Sequence, residues 1–307
     1  MSEPVFKTLT LVGIGLIGSS IALAARRYGL VETIVVCDAD EAALKRAEQL
    51  GLGDRYETDA ASAVRDADGV ILCVPVGAIA GVVAKIAPAL QRGAVVSDTG
   101  SVKVAPQRDF EAMLPVGVHG IPGHPVAGTE QSGPDAGFAT LFRDRWFIIT
   151  PSPGTDEAAL ARLVAFWRGM GSAVEIMDAE HHDRVLAITS HLPHLIAYNI
   201  VGTVAELEGD TKTEVIKFSA SGFRDFTRLA ASDPTMWRDV FLNNREAVLE
   251  MLGRFTEDLT ALQKAIRKGD GAALFDRFTQ TRNIRRGIID AGQEVDVPDF
   301  GRHVGEE

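Results

Sequence analysis

The stretch LTLVGIGLIGSSIALAARRYG, residues 9–29, restricts the fold more than any other part of this chain. A β-rich run ends in Gly13-x-Gly15-x-x-Gly18, and the helix formers that follow turn the glycines into a strand–turn–helix junction. Gly13 permits the tight turn, Gly15 lets a ligand approach the backbone, and Gly18 lets the helix pack on the strand. A second strand, TIVVCD, follows, and its Asp38 lies at the spacing of a ribose-binding carboxylate. The junction predicts a dinucleotide whose pyrophosphate meets the free N–H groups of Leu16, Ile17 and Gly18 at the helix start. A similar turn can also serve FAD or S-adenosylmethionine. The carboxylate of Asp38 favours NAD and leaves NADP as the lesser alternative, because it repels the extra phosphate.

Short apolar runs at 9–13, 33–38, 69–74, 94–98, 118–122, 146–150 and 173–177 alternate with helical stretches. The pattern predicts an α/β fold with a Rossmann-type doubly wound sheet over residues 1–178. Val74 and Pro75 end one strand, and Thr99, Gly100 and Ser101 follow another, so both loops are expected to face the cofactor. Asp40 and Gly51 read as the start and stop of one connecting helix. Beyond Asp178 the β-rich runs cease, and residues 179–307 are expected to form an all-helical substrate and dimerisation domain. Residues 236–269 read as one helix with an apolar face at Val240, Leu249, Leu252, Phe255, Leu259, Leu262 and Ile266. Such a face predicts packing against a second copy of the chain, hence a homodimer.

With 46% hydrophobic and 24% charged residues the chain can bury a core, and its formal charge of −11 opposes nucleic-acid binding. Cys37 and Cys73 sit in apolar runs and read as reduced thiols, and MSEPVFKTLTLVG does not resemble a secretion signal. The longest apolar stretches noted, 11–25 and 69–84, are interrupted and too short to span a bilayer. A cytoplasmic protein without a membrane or metal partner is expected.

His124, in GHPVAGTEQSGPDAG, can be read as a catalyst, a metal ligand or a histidine tolerated by a loop; Gly123 and Pro125 suggest a turn that presents its ring. His191 and His194, in SHLPH, share a helical face with Pro193 between them, where the helix should kink. They fit buried packing, a polar site, or zinc at a spacing unlike that of metalloproteases. Asp225 and Arg228 stand three apart, either as a surface ion pair or as a carboxylate clamp oriented by Asp225.

Taken together, GIGLIGSS, DTGSVK, GHPVAGTEQSGPDAG, SHLPH and SGFRDFTRLA resemble the prephenate/arogenate (cyclohexadienyl) dehydrogenase family of tyrosine biosynthesis, collinearly from residue 8 to about 240. The resemblance implies NAD-dependent oxidative decarboxylation of a small molecule, prephenate or arogenate. It implies that His124 takes the proton of the ring hydroxyl and that Ser101 shares that hydroxyl. It further implies that Arg228, held by Asp225, binds a substrate carboxylate, and that His191 and His194 line the pocket. Trp237 matches a position near substrate that a partner subunit can supply, and Glu130 with Arg224 matches a gate across the cleft. Other two-domain dehydrogenases, of the 3-hydroxyacid or pyrroline-carboxylate type, use a lysine or hydroxyl in the helical part; no lysine lies in 179–211. A non-catalytic NAD-sensing regulator would bind nucleotide without needing His124.

Overall fold

The computed structural model describes residues 3–129, 131–207, 214, 217–218 and 220–290. Its contacts divide the chain into two units, Met1–Leu249 and Glu250–Glu307.

The first unit is built on β1 (Phe6–Val12), β2 (Val31–Cys37), β3 (Arg55–Glu57), β4 (Gly69–Leu72), β5 (Val95–Asp98) and β6 (His119–Gly120). They form one parallel sheet in the order β3-β2-β1-β4-β5-β6. The order reverses between β1 and β4, so the carboxyl ends of these strands open a crevice there. Side chains alternate across the sheet. Leu9 and Leu11 pack under α1 (Leu16–Arg27) with Ile21, Phe166 and Trp167, while Val12, Val70 and Leu72 pack with Val76, Ile79 and Val83 of α4 (Val76–Ile86) on the other face. Each face therefore has its own apolar core, which accounts for strands apolar on both sides. Asp40 caps α2 (Glu41–Gln49) by accepting from the Ala42 N–H, and Gly51 follows with φ +65°, as the sequence indicates.

A second sheet has the order β7-β8-β9, from Gly123–Pro125, Trp146–Ile149 and Ala173–Ile176. His124 thus lies on a short strand, antiparallel to β8 and opposite Ile148, rather than in the turn expected from its glycine and proline neighbours. The ring of Phe147 occupies the space a side chain at Gly123 would need, so glycine here serves close packing.

After β9 come α7 (Ala179–Leu186) and α8 (Leu192–Ala205), separated by a π-helical turn at Ala187–His191. Pro193 cannot donate to the carbonyl four residues back, and just before it the Leu192 N–H reaches Ala187, five residues back. The widened turn carries His191. Residues 179–205 are long and apolar enough to meet the length and composition of a membrane span, unlike the interrupted stretches 11–25 and 69–84. Their first two turns carry His182 and Asp183, both buried against the sheet unit.

The expected continuous helix over 236–269 breaks at Asn244, between helices Pro234–Asn243 and Arg245–Lys268. Trp237 and Val240 of the former join the core beneath α4. The second unit contains the rest of Arg245–Lys268 and the helix Gly271–Asp290, joined by an Arg277–Asp258 ion pair at 2.9 Å.

Candidate active site

At the nucleotide end, Gly13 has φ +98°, and a side chain there would sit 2.5 Å from the Cys73 carbonyl oxygen. A side chain at Gly18 would overlap the Gly13 carbonyl, so strand and helix can approach only through glycine. Gly15 has nothing within 4 Å on its open side, and no side chain caps the start of α1. An uncapped helix terminus beside open space accepts an anionic pyrophosphate. Asp38 accepts from the N–H groups of Ile14 and Asp40, both at 2.9 Å, which joins the end of β2 to the glycine turn. Val74 and Pro75 follow β4, with Pro75 exposed at the start of α4, while Thr99 and Gly100 follow β5.

The segment after β7 returns to this place. The Phe138 N–H donates to Ser20 Oγ at 3.1 Å, Gly137 lies against Ser19, and Asp135 receives Arg46 of α2 at 2.6 Å. Nothing in the composition of SGPDAG signals that packing.

The centre of the site is a chain of buried groups that begins at Asp183. Its carboxylate accepts from the Lys103 N–H at 2.7 Å and the Val104 N–H at 3.0 Å, at the start of α5 (Val104–Met113). It also faces His182 Nδ1 at 2.8 Å, and His182 Nε2 lies 2.9 Å from His124 Nδ1. His182 is fully buried and His124 is 7% exposed. Nε2 of His124 makes no hydrogen bond among the described residues, yet it is not sealed from solvent. Beneath β7, Lys103 Nζ donates to Asp98 Oδ2 and to the Gly123 carbonyl. Asp98 also accepts from the N–H groups of Gly100 and Gly123. The ion pair therefore fastens His124's strand to the end of β5.

Asn244 completes the frame at the helix break, donating to the Asp183 carbonyl at 2.8 Å and to His191 Nδ1 at 3.0 Å. That leaves the proton of neutral His191 on Nε2, which is buried, while the nearby Ser101 backbone favours a proton on this ring. His194 donates from Nδ1 to the Ser190 carbonyl and stacks on Trp237 at 3.7 Å. Trp237 also meets His191 edge-on, so both histidines border the indole within this chain. Arg228 is exposed and close enough for its charge to disfavour protonation of His194. No hydrogen bond or ion pair joins Asp225 to Arg228, because the helix Ser221–Thr227 ends between them and Arg228 begins a tighter turn. Ser101 is half-buried, between Gly100 and the Lys103 anchor. Arg224 is exposed, and Glu130 lies outside the described residues.

His182, Asp183, Lys103 and Asp98 are the groups that sequence reasoning did not select. HHD has no diagnostic spacing, and the His124–His182 contact joins residues 58 apart. DTGSVK already contains Asp98 and Lys103, but only the fold turns their side chains toward one another.

Burial pushes the imidazoles of His124, His182, His191 and His194 below the ordinary histidine range. For His124 the neighbouring His182, Lys103 and His191 add to the effect, and His191 falls to about 4. Burial also raises the Asp98 carboxyl and lowers the Lys103 ammonium, while each charge favours the other and three donors meet the carboxylate. The histidine shifts have a consequence for stability. In the unfolded chain these rings bind protons below their ordinary value near 6.5, whereas the folded chain resists until lower pH. Acid therefore favours unfolding: the melting temperature is expected to fall as pH drops from 6.5 toward 4, and a flat thermal-melt series across that window would contradict neutral burial.

Residues 21–176 match the family model described as prephenate dehydrogenase, nucleotide-binding domain, and residues 178–280 match prephenate dehydrogenase, dimerization domain. The chain belongs to the prephenate dehydrogenase family. Within it, the chain is 45% identical over 281 residues to the cyclohexadienyl dehydrogenase of Zymomonas mobilis, covering 92% of this chain and 96% of that relative. It is 31% identical over 302 residues to the prephenate dehydrogenase of Bacillus subtilis, covering 95% and 81%. Among solved structures, the Aquifex aeolicus prephenate dehydrogenase, determined with hydroxyphenyl propionate and NAD+, superposes with a TM-score of 0.85 at 32% identity, covering 92% of this chain and 98% of that one. The family is one of oxidoreductases, and the match to its nucleotide-binding domain begins within α1 and runs through β2 to the end of β9.

Proposed function

We propose that the protein oxidises and decarboxylates prephenate, arogenate or both, using NAD, to give 4-hydroxyphenylpyruvate, tyrosine or both. One observation carries this reading: His124 presents an unpartnered Nε2 while its Nδ1 is held from behind by His182. An imidazole so placed can take the proton of a ring hydroxyl. A bound NAD would supply the hydride acceptor for the carbon that bears this hydroxyl. Loss of the ring carboxylate as carbon dioxide leaves its bonding electrons in the ring, which becomes aromatic.

The remaining roles are assigned to this chain's own groups. Ser101 shares the hydroxyl with His124, Arg228 meets a substrate carboxylate from its exposed position, and His191 and His194 line the pocket beside Trp237. Asp225, three residues before Arg228, would orient that guanidinium on the substrate carboxylate, although no hydrogen bond joins the two in this structure. Asp38 reads the adenosine ribose and favours NAD over NADP. The likeness to a cyclohexadienyl dehydrogenase supports acceptance of both substrates.

The nucleotide-binding part is placed at residues 1–178 and the substrate and dimerisation part at 179–307, which agrees with the change of family model between 176 and 178. A homodimer is proposed through the helical part, where Leu259, Ile266, Phe275, Phe278 and Ile284 are each more than half exposed in the single chain. A cytoplasmic setting suits the two free cysteines.

With NAD, prephenate or arogenate is expected to yield reduced cofactor and carbon dioxide in equal amounts. Flat absorbance traces with both substrates, at cofactor concentrations shown to bind, would overturn the reading.

A further inference from the structure

We propose that Asp183 and His182 are positioning residues that set the tautomer of His124 and take up part of its charge when it accepts a proton. This rests on the reading of His124 as the base for a substrate hydroxyl.

Donors and acceptors along this chain of groups fix where each proton sits. Asp183 is an acceptor on both oxygens, because two backbone N–H groups at the start of α5 point at it and favour the carboxylate. His182 must therefore donate to it from Nδ1, at 2.8 Å. A neutral His182 then has a lone pair on Nε2, so His124 must donate from Nδ1 across the 2.9 Å contact. The only nitrogen left on His124 is Nε2, and it carries a lone pair. Two buried rings and one carboxylate thus fix, without any substrate, the protonation pattern a general base needs.

The same chain acts when His124 takes the hydroxyl proton at Nε2. The positive charge so formed borders a ring that can accept the Nδ1 proton, and beyond that ring stands an anion. No proton is created or lost: one arrives at Nε2 from the substrate, and the Nδ1 proton moves at most toward His182. The fixed charges around the rings oppose one another. Lys103 from the β5–α5 loop disfavours the imidazolium, His191 from the π turn adds to that, and Asp183 with Asp98 favours it. His124 is consequently neutral at rest and receives its stabilising anion only through His182. The edge-on packing of the two rings, 77° between planes with centroids 5.1 Å apart, holds the nitrogens in line.

Asp183→Asn tests the proposal. An amide that turns its N–H₂ to His182 Nδ1, giving up the acceptor for the Lys103 N–H, reverses both tautomers and places the proton of His124 on Nε2; turned the other way, it still removes the anion behind His182. In the holoenzyme kcat is expected to fall at least 100-fold while KM for prephenate or arogenate stays within about threefold, as for interactions made only in the transition state. Histidine nitrogen NMR of the folded protein should show His124 changing from the Nδ1–H to the Nε2–H form. A second pair covers poor folding of that variant: His182→Gln keeps an acceptor toward His124 and should recover at least tenfold in kcat over His182→Leu. Equal rates for Gln and Leu, or an Nε2–H His124 in the unaltered protein, would overturn the assignment. If the unaltered protein turned over neither substrate, the reading of the reaction would fail, and the tautomer measurement would still decide whether Asp183 sets the state of His124.

Discussion

Replacing His124 with asparagine is expected to lower kcat by about 10²–10⁴-fold, the usual contribution of a positioned general base, while leaving NAD affinity unchanged. The substitution isolates basicity from packing. An asparagine amide can reach toward His182 from about the place of Nδ1, so the buried contact at 2.9 Å can be retained. What it lacks is a nitrogen able to accept a proton where Nε2 faces the site. The glycine turn and Asp38 lie on other strands and should be undisturbed. Cofactor affinity by fluorescence titration and single-turnover hydride transfer separate the two effects. A variant that transfers hydride within tenfold of the unaltered rate would remove His124 from the role of base. Because burial, His182 and Lys103 all hold the imidazole below the ordinary histidine range, the acidic limb of kcat/KM in the unaltered enzyme should also lie below pH 6.5.

The portion of the site that can be read in the sequence is the portion governed by local rules. Gly13, Gly15 and Gly18 answer to strand–turn–helix geometry over six residues, and the positive φ at Gly13 with the close approach at Gly18 follows directly. Strand runs announce themselves by apolar content, so the buried β1, β2, β4, β5 and β8 and the largely exposed β9 are all legible to within a few residues. β3 and β7 are not, since RYE and GHP are short and owe their pairing to neighbours far along the chain. The continuous helix expected over 236–269 fails for a related reason. Asparagine has only a modest intrinsic cost in a helix, and the break at Asn244 is favoured by its two hydrogen bonds to Asp183 and His191, which helical periodicity cannot foresee. His124 stood out because of its setting between glycine and proline. The groups that govern its chemistry lie behind it, from segments 58 and 59 residues away, and become visible only when α7 packs on α5.

Lys103 shows how a structural interaction can be as decisive as a catalytic one. Its side chain is fully buried, and its ammonium donates to Asp98 and to the Gly123 carbonyl, one residue before His124. Lys103→Met would remove both bonds while filling similar volume, and it would leave Asp98 buried with only the Gly100 and Gly123 N–H groups. Breaking one side of a buried pair costs about 3–5 kcal/mol, a large share of the roughly 5–15 kcal/mol that holds a typical domain together. The melting temperature should accordingly fall by about 10 °C or more. Removing both charges is a milder change, because no isolated ion is left behind, so Lys103→Met with Asp98→Asn should melt well above Lys103→Met alone. Acid should have the same effect on the single variant. Without Lys103 the Asp98 carboxyl rises further above its unfolded value, the folded state then binds the extra proton, and the deficit relative to the unaltered protein should narrow as pH falls. Thermal melts of the three proteins from pH 8 to pH 5 measure this directly. A single variant that melts within 2 °C of the unaltered protein, or a deficit that widens in acid, would show that the Asp98–Lys103 pair does not hold β7 in place.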